Sequence, residues 1–302
     1  MGLIHLILDI AGLLLWLNWR AKPYDALATA TPATLAGTLR RAESRQASRW
    51  FFPAALAGLL LLRPALYCAL GPALNWTAQL NLVATSLAFK SDSFRRMLLF
   101  SLLSFAVTLV VFFLWLLLLS LLGRGHSEQL AAVRLARAHL GAVDGWPAGL
   151  KLALPFVALS AGWWLLTWPL PAWGLMPPPA SEIARLEQSG LIGLGSYLAW
   201  KYLAVGLLVL HLLHNHIYFG THPMWLFVDH AARRLLVPLR RLPLSVGKVD
   251  LKPLVGLTVV CLLAHAAEHG VRPPARLDER GRPMPPAFEV PGLVDLYRRV
   301  SR

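Results

Sequence analysis

Charged residues are scarce in this chain, and acidic residues are the scarcer kind. Charged residues occupy 15% of the 302 positions, whereas a soluble domain carries about 25%. There are 15 Asp and Glu against 29 Lys and Arg, so the formal net charge is +14. Hydrophobic residues make up 57% of the chain and are gathered into long runs. This pattern argues against a soluble protein and predicts an all-α bundle of membrane-spanning helices.

The sequence also lacks the patterns of common catalytic and metal sites. It contains no phosphate-binding loop, no pair of catalytic carboxylates and no cysteine zinc motif. The two cysteines, Cys68 and Cys261, lie inside apolar runs and are typical of small buried hydrophobic residues. The segment 193–196 (Gly-Leu-Gly-Ser) is similar to a nucleophile turn, but no histidine is directed towards Ser196. We therefore predict a non-enzymatic protein with no cofactor and no metal.

Long apolar stretches predict about six spans, each of which needs about 20 residues. The stretches are 2–18, 51–71, 97–122, 150–169, 191–218 and 251–267. Most Lys and Arg lie between them, where they orient the spans and meet anionic lipid headgroups rather than nucleic acid. The loop charges place the N-terminus and the proline-rich loop 170–190 outside. The tail 268–302 is then also outside, although its seven arginines favour the cytoplasm.

A short signature, Gly-x-Val-Asp-x-x-Pro, occurs twice in the chain. Its residues are Gly141, Val143, Asp144 and Pro147 in the first copy and Gly247, Val249, Asp250 and Pro253 in the second. Each copy follows a basic segment and lies between two apolar spans. We therefore predict two related helical hairpins, 97–169 and 191–267. An extension with two spans, 1–96, precedes them, and a basic tail, 268–302, follows.

The signature has a physical interpretation as a sharp re-entry into the membrane. Glycine permits a tight turn where the basic segment ends. Asp144 or Asp250 can then cap the next helix by accepting its free amide protons. Proline suits the first turn of that helix, where its missing N–H has no cost. The alternative is that Asp144 or Asp250 carries protons in transport.

The segment before the second signature has the periodicity of a basic amphipathic helix. Its apolar positions are Val228, Ala232, Leu235, Leu236, Leu239 and Leu242. Its basic positions include Arg233, Arg234, Arg240 and Arg241. We expect Pro238 to kink this helix, and we expect the helix to lie in the lipid headgroup region. The four arginines are the predicted contact surface for anionic lipid or for a membrane-protein partner.

The same segment resembles the connector of the YggT (YlmG) family of membrane proteins. Residues 237–243 read Val-Pro-Leu-Arg-Arg-Leu-Pro, and they are followed by Gly247, Asp250, Leu251 and Pro253. The order of these residues, though not their exact spacing, is similar to the family pattern P-x-R-R-x-x-P followed by G-x-D-x-S-P, with Lys252 in place of the usual serine. The resemblance covers the second hairpin well, the first through its glycine, aspartate and proline, and residues 1–96 not at all.

The resemblance implies an integral protein of the bacterial cytoplasmic (inner) membrane, built from helical hairpins. Members of this family have no established enzymatic chemistry. They are linked to osmotic or ion tolerance, to cell division and nucleoid distribution, and in plastids to assembly of a cytochrome complex. The resemblance therefore implies a scaffold or assembly factor for other membrane proteins.

Two opposite charges occur deep in the first two predicted spans. Asp9 and Arg63 each lie about 12 Å from the outer end of their helix, at about 1.5 Å per residue. An unpaired charge at mid-bilayer costs about 3 kcal/mol, so we predict an intramembrane ion pair that docks the two helices. Pro64 is expected to bend the second helix. The competing hypothesis is a subunit of an ion transporter or channel that uses these charges.

Histidines gather at the end of the fifth predicted span. His211 and His214 lie at i and i+3, so that they share a helix face and could bind a metal or a haem. Polar side chains at the membrane interface are the plainer interpretation, and it is the one we prefer. A haem- or metal-binding membrane protein is the third hypothesis.

Overall fold

The computed structural model describes residues 2–20, 50–74, 76–123, 137–217, 223–241, 245–246, 249–271 and 289–301. Most of these residues are helical. Five helical stretches are long and apolar enough to cross a membrane: Gly2–Arg20, Phe51–Leu70, Phe94–Leu122, Ala148–Ala172 and Glu182–His216. The first five predicted spans are thereby confirmed as apolar helices of spanning length. The sixth predicted span is an 18-residue helix, Lys252–His269, which falls outside that group of five.

The regular elements of the described chain are mainly α-helices, with three pairs of short strands. The helices are α1 (Gly2–Arg20), α2 (Phe51–Leu70), α3 (Phe94–Leu122), α4 (Ala148–Leu166), α5 (Pro169–Ala172), α6 (Glu182–Gly195), α7 (Trp200–His216), α8 (Pro223–Leu235), α9 (Lys252–His269) and α10 (Leu293–Val300). The strands are β1 (Thr77–Asn81), β2 (Ser86–Lys90), β3 (Ser245–Val246), β4 (Val249–Asp250), β5 (Gly270–Val271) and β6 (Val290–Pro291). Each odd-numbered strand pairs with the strand that follows it.

The chain divides into two compact units. The first unit comprises Met1–Leu80 and Ala88–Val110, and the second comprises Asn81–Leu87 and Val111–Arg302. The boundary therefore falls inside α3, whereas the sequence repeat suggested a division between residues 96 and 97. The difference arises because packing defines the units, whereas span order and a short motif defined the predicted hairpins.

In the first unit, α1 packs against α2, and the beginning of α3 completes the bundle. The buried residues of this part of α3 recur every three or four positions and so lie on one face: Met97, Phe100, Ser101, Ser104 and Phe105. Large exposed residues of α1 are apolar and also recur at helical spacing: Leu3, Leu6, Ile7, Ile10 and Leu14. An exposed apolar face of this size is typical of a helix that faces lipid.

In the second unit, α4 packs against α6, and α7 packs against α9. The basic segment α8 packs against α7. Two helices of the second predicted hairpin, α7 and α9, therefore pack against each other. The first predicted hairpin differs, because the main partner of α4 is α6 rather than α3. The two signature-bearing segments are thus unequal in how their helices pack.

The contact between α4 and α6 depends on a residue without a side chain. A Cβ at Gly193 would meet Ser160 Oγ and would lie 2.8 Å from the carbonyl oxygen of Phe156. We expect Gly193→Ala to separate the two helices and to lower the free energy of unfolding by about 1–3 kcal/mol. The measurement is thermal unfolding of the purified protein in detergent. Gly190→Ala is the matched control on α6, because a Cβ there has no neighbour within 4 Å. Equal destabilisation by both variants would contradict the expectation.

The predicted basic tail contains elements that pack on the second unit. After β6, helix α10 contacts α6 and α9, with Leu293 and Tyr297 buried. The hydroxyl of Tyr297 lies beside the side chains of Thr85 and Trp163. Burial raises the pKa of the Tyr297 hydroxyl above its ordinary value, against the lowering effect of those two neighbouring side chains. Helix α10 is therefore part of the packed second unit.

Candidate functional site

A buried polar cluster joins the three helices of the first unit. Arg63 of α2 donates a hydrogen bond from Nη2 to Asp9 Oδ1 of α1 at 2.6 Å. The guanidinium of Arg63 is fully buried, and its Nε and Nη1 have no hydrogen-bond partner among the described residues. Asp9 is therefore the main group that compensates this buried charge. The structure places the two predicted residues in direct contact between neighbouring helices.

Three further side chains extend this pair into a network. His5, one turn before Asp9, lies 2.8 Å through Nδ1 from the hydroxyl of Tyr67. Through Nε2, His5 lies 3.0 Å from Ser104 Oγ of α3. The same nitrogen lies 3.2 Å from Asp9 Oδ2. The ring of Phe100 stacks on the His5 ring at 5.2 Å, which shields one side of the network.

Sequence reasoning missed the histidine and the two hydroxyl side chains of this network. A signal was present for His5, which precedes Asp9 by four residues, and for Tyr67, which follows Arg63 by four. Residues four apart share a helix face, so each belongs beside its charged neighbour. Ser104 is one of a few hydroxyl residues inside a long apolar run, which also indicates a polar contact in the membrane. The network can orient protons or hold helices together.

A second cluster surrounds the first signature. Gly141 has a φ of +57°, in the left-handed region that favours glycine, and it begins a 3-10 turn, Gly141–Gly145. Pro147 is the N-cap residue of α4, whereas Pro253 lies in the first turn of α9. Of the second signature, Gly247 and the side chain of Asp250 lie outside the described residues. The backbone of Asp250 belongs to β4.

The carboxylate of Asp144 binds side chains instead of capping a helix. Ser120 Oγ donates to its Oδ1 at 2.5 Å, and Arg137 Nε donates to its Oδ2 at 3.1 Å. Lys151 Nζ lies 3.6 Å from Oδ1 and donates to Ser120 Oγ at 2.7 Å. The predicted N-cap role of Asp144 is wrong, because Pro147 holds the N-cap position and α4 has no side-chain cap. The N-cap residue of α9 is Leu251, and the Asp250 carboxylate on which the second predicted cap depends lies outside the described residues.

Charge explains this choice of partner. The side chain of Lys151 is almost completely buried, so its ammonium group needs a negative partner more than the helix amides do. Burial alone would raise the pKa of Asp144. The hydrogen bonds of Ser120 and Arg137 and the charges of Lys151 and Arg137 outweigh burial and hold this pKa below its ordinary value. Sequence reasoning missed Lys151, although a lone charge inside a predicted span was the available signal.

The basic amphipathic segment is a helix, but its apolar face is not available to lipid. Helix α8 ends at Leu235, and Pro238 lies in the 3-10 turn Val237–Leu239 that follows, so the proline lies beyond a helix end and does not kink a continuous helix. Four residues of α8 are buried against neighbouring helices: Phe227, Val228, Ala231 and Ala232. This face therefore packs against α7 and α9, and the position of the helix in the headgroup region stays a prediction. Leu242 lies outside the described residues.

The basic positions of this segment remain on the outside of the second unit. Arg233, Arg240 and Arg241 are exposed, whereas Arg234 is half-buried and has an interaction partner. Arg233 Nη2 lies 2.8 Å from Asp229 Oδ2. The three exposed arginines form what we call the arginine face.

The two histidines considered as metal ligands take part in helix packing. His211 Nδ1 lies 3.0 Å from Asp229 Oδ1 of α8. The ring of His214 stacks on that of Trp225 at 5.2 Å. Within the described residues, no group of three or more His, Cys, Asp or Glu side chains is arranged to hold a metal ion. These contacts bind α7 to α8, which accounts for the histidines through packing.

Comparison with known proteins identifies no similar protein. No protein-family model, no curated protein and no solved structure matches the chain. The fold and its clusters define the class by themselves: a mostly helical protein with five helices that can cross a membrane and with charged side chains buried between helices.

Proposed function

We propose that this chain is a six-span scaffold or assembly protein of the bacterial cytoplasmic membrane, of the YggT (YlmG) type and without enzymatic chemistry. The observation that carries the proposal is the use of charge within its apolar helices. Asp9 pairs with Arg63 between α1 and α2, and the guanidinium of Arg63 is fully buried there. A transport path would present such groups to a water-filled route. Charges that join helices support a structural role.

The finer features of the proposal rest on the second unit. Helix α9 is taken as the sixth span, since its 18 residues pack along α7, the last part of the fifth. The two signatures are taken as copies of one connector, because each precedes an apolar helix that begins within one residue of its proline. Their unequal packing is then a divergence between two repeats.

The arginine face is the proposed contact surface. The apolar side of α8 packs against α7 and α9 and is not free to insert into lipid. The three residues of the arginine face are exposed. Exposed Leu226 and Val237 lie beside them in the chain. Cations with a few apolar neighbours suit anionic headgroups, each worth about 1 kcal/mol, or the acidic surface of a membrane-protein partner. Nucleic acid is not part of the proposal.

A site-specific photocrosslinker at Val237 tests the proposal in intact membranes. We expect protein crosslinks at this exposed position, and we expect them to fall about tenfold when Arg233, Arg240 and Arg241 are all changed to glutamine. Membrane abundance should not change, since none of the three is buried. Two controls are matched: the crosslinker at Val157, an exposed position of α4, and Arg95→Gln, an exposed arginine of the first unit.

Two results would overturn the scaffold proposal. One is a crosslinking pattern at Val237 that survives the triple arginine change. The other is ion flux through proteoliposomes above the level of empty liposomes, lost in Asp9→Asn while the amount of folded protein is kept equal. That second result would favour the transporter or channel hypothesis, because it would make Asp9 part of a conducting path.

A further inference from the structure

A cavity of about 590 Å³ lies in the second unit, away from the clusters described above. Its walls come from the closing segment of the first strand pair, Asn81–Ser86, from Val111 of α3, from residues around the start of α7, from the end of α9 and from one side of α10. This volume falls within the range of about 300–1,000 Å³ typical of sites for small ligands. The chain segments that form it are distant in sequence, so the cavity exists only in the folded protein.

The cavity carries one surplus positive charge. Lys201 and Glu268 line it, but they neutralise each other through the 2.7 Å ion pair. Arg298 of α10 also lines it, is exposed, and forms no ion pair with any described residue. A guanidinium presents its donors in a planar fork that matches the oxygens of a phosphate. The charge balance therefore suits a ligand with a single negative charge.

The remaining walls are polar on one part and apolar on another. Asn81 and Ser86 offer an amide and a hydroxyl for hydrogen bonds to phosphate or glycerol oxygens. Val111, Leu198 and Val294 offer aliphatic surface. A ligand that fills both parts has a polar, monoanionic head and an apolar body. A phosphodiester carries one negative charge, whereas a phosphomonoester carries nearly two at neutral pH.

The closing segment is held in an uncommon conformation where it meets the cavity. Val83, a lining residue, has a φ of +57°, which a β-branched residue rarely adopts. Backbone hydrogen bonds hold it there, from Leu82 N to Thr85 O at 2.8 Å and from Ala84 N to Leu82 O at 2.6 Å. Such conformations concentrate where a ligand is gripped, because the surrounding fold must pay for them. The conformation of Val83 therefore supports a preformed wall of the cavity at this segment.

We propose that this cavity binds the phosphodiester headgroup of one anionic phospholipid. Arg298 pairs with the phosphate, Asn81 and Ser86 bind headgroup oxygens, and the first part of the acyl chain lies against Val111 and Leu198. Lys201 remains paired with Glu268. The proposal concerns a single bound lipid and does not depend on the scaffold role or on the arginine face.

Native mass spectrometry of the full-length protein in detergent tests the proposal. The probes are phosphatidylglycerol, phosphatidylcholine and inorganic phosphate, each titrated separately and then in competition. We expect one phosphatidylglycerol to bind about tenfold more tightly than phosphatidylcholine, and we expect Arg298→Gln to remove that difference. Arg299→Gln is the matched control, because this neighbouring exposed arginine does not line the cavity. The affinity of the Arg299→Gln variant for phosphatidylglycerol should equal that of the native protein.

A second variant guards against a folding defect. Glu268→Gln removes a negative charge from the wall and frees Lys201, so it should strengthen phosphatidylglycerol binding several-fold. A gain of affinity cannot come from unfolding. Equal affinity for the two lipids, equal losses in Arg298→Gln and Arg299→Gln, or weaker binding in Glu268→Gln would each overturn the proposal. Displacement of the lipid by inorganic phosphate at equal concentration would show a site for free phosphate and would overturn the lipid assignment.

Discussion

Replacing Asp9 with leucine is expected to remove most of the protein from the membrane. The change leaves the guanidinium of Arg63 fully buried without its carboxylate, and two of its nitrogens already have no partner among the described residues. Breaking a buried pair by removing one partner costs about 3–5 kcal/mol. A loss of that size can consume most of the stability of a helical unit, so steady-state abundance should fall about tenfold or more. Quantitative immunoblotting of isolated membranes measures it.

Double substitution separates the ion pair from a general effect of changing Asp9. Asp9→Leu combined with Arg63→Leu removes both charges and leaves apolar side chains, which is often neutral for stability. We therefore expect the double variant to regain most of the lost abundance. The milder pair, Asp9→Asn with and without Arg63→Leu, should show the same non-additivity. Additive losses in either series would show that the two residues act independently, against the contact in the structure.

A surface ion pair of the same unit provides the matched control. An oxygen of Asp92 lies 3.8 Å from a nitrogen of Arg96, with 64% of the Asp92 side chain and 40% of the Arg96 side chain exposed. Such exposed pairs contribute about 0–1 kcal/mol. Asp92→Asn should therefore leave abundance almost unchanged. A loss at Asp92 as large as the loss at Asp9 would mean that burial does not set the effect.

Asp144→Ala is expected to be the next most damaging change. It removes the acceptor of the Ser120 and Arg137 hydrogen bonds and takes the nearest carboxylate away from buried Lys151. We expect a loss of about 3 kcal/mol in the free energy of unfolding, measured by chemical or thermal unfolding in detergent. Asp144→Ala with Lys151→Met should regain part of it, because no buried charge then remains. A double variant less stable than Asp144→Ala would contradict this account.

The same carboxylate makes a pH-dependent contribution whose sign follows from its pKa. The pKa of Asp144 is held below its ordinary value in the folded protein. Its contribution to stability is therefore complete above the ordinary value of about 3.9 and is lost as the pH falls through the folded pKa. The stability difference between the native protein and Asp144→Asn should be constant near neutral pH and shrink below about pH 4. Unfolding at pH 7 and in a series of acidic buffers measures this difference, and a gap that widens on acidification would show the opposite pKa shift.

The two clusters differ in how far the sequence alone predicts them. Asp9 and Arg63 are isolated charges in apolar runs at similar depth, and the high cost of burying either one makes pairing the simplest solution. For Asp144, local rules favoured a helix cap, because a short acidic residue before a proline commonly plays that part. The cap rule failed because Lys151 of α4 is buried beside it, and a buried ammonium group competes more strongly than a backbone amide.

The basic segment is a second case in which the sequence predicts an element but not its contacts. Its periodicity predicts a helix with an apolar face, and α8 is that helix. Periodicity does not say what covers the face. Lipid and the side of α7 are equally apolar, so only packing distinguishes an interfacial helix from a docked one.

By itself, the sequence determined the apolar helices and the charges that must be compensated inside them. Both follow from the free energy of transferring single residues or short runs out of water, and this free energy depends little on the rest of the chain. The tertiary structure decided which surfaces meet: α4 with α6, α8 with α7, Asp144 with Lys151, and the distant walls of the cavity beside Arg298. Most of these contacts join segments that are far apart in sequence. They are selected by complementary shape and charge at the packed surfaces, and such complementarity leaves no periodic pattern in the local sequence.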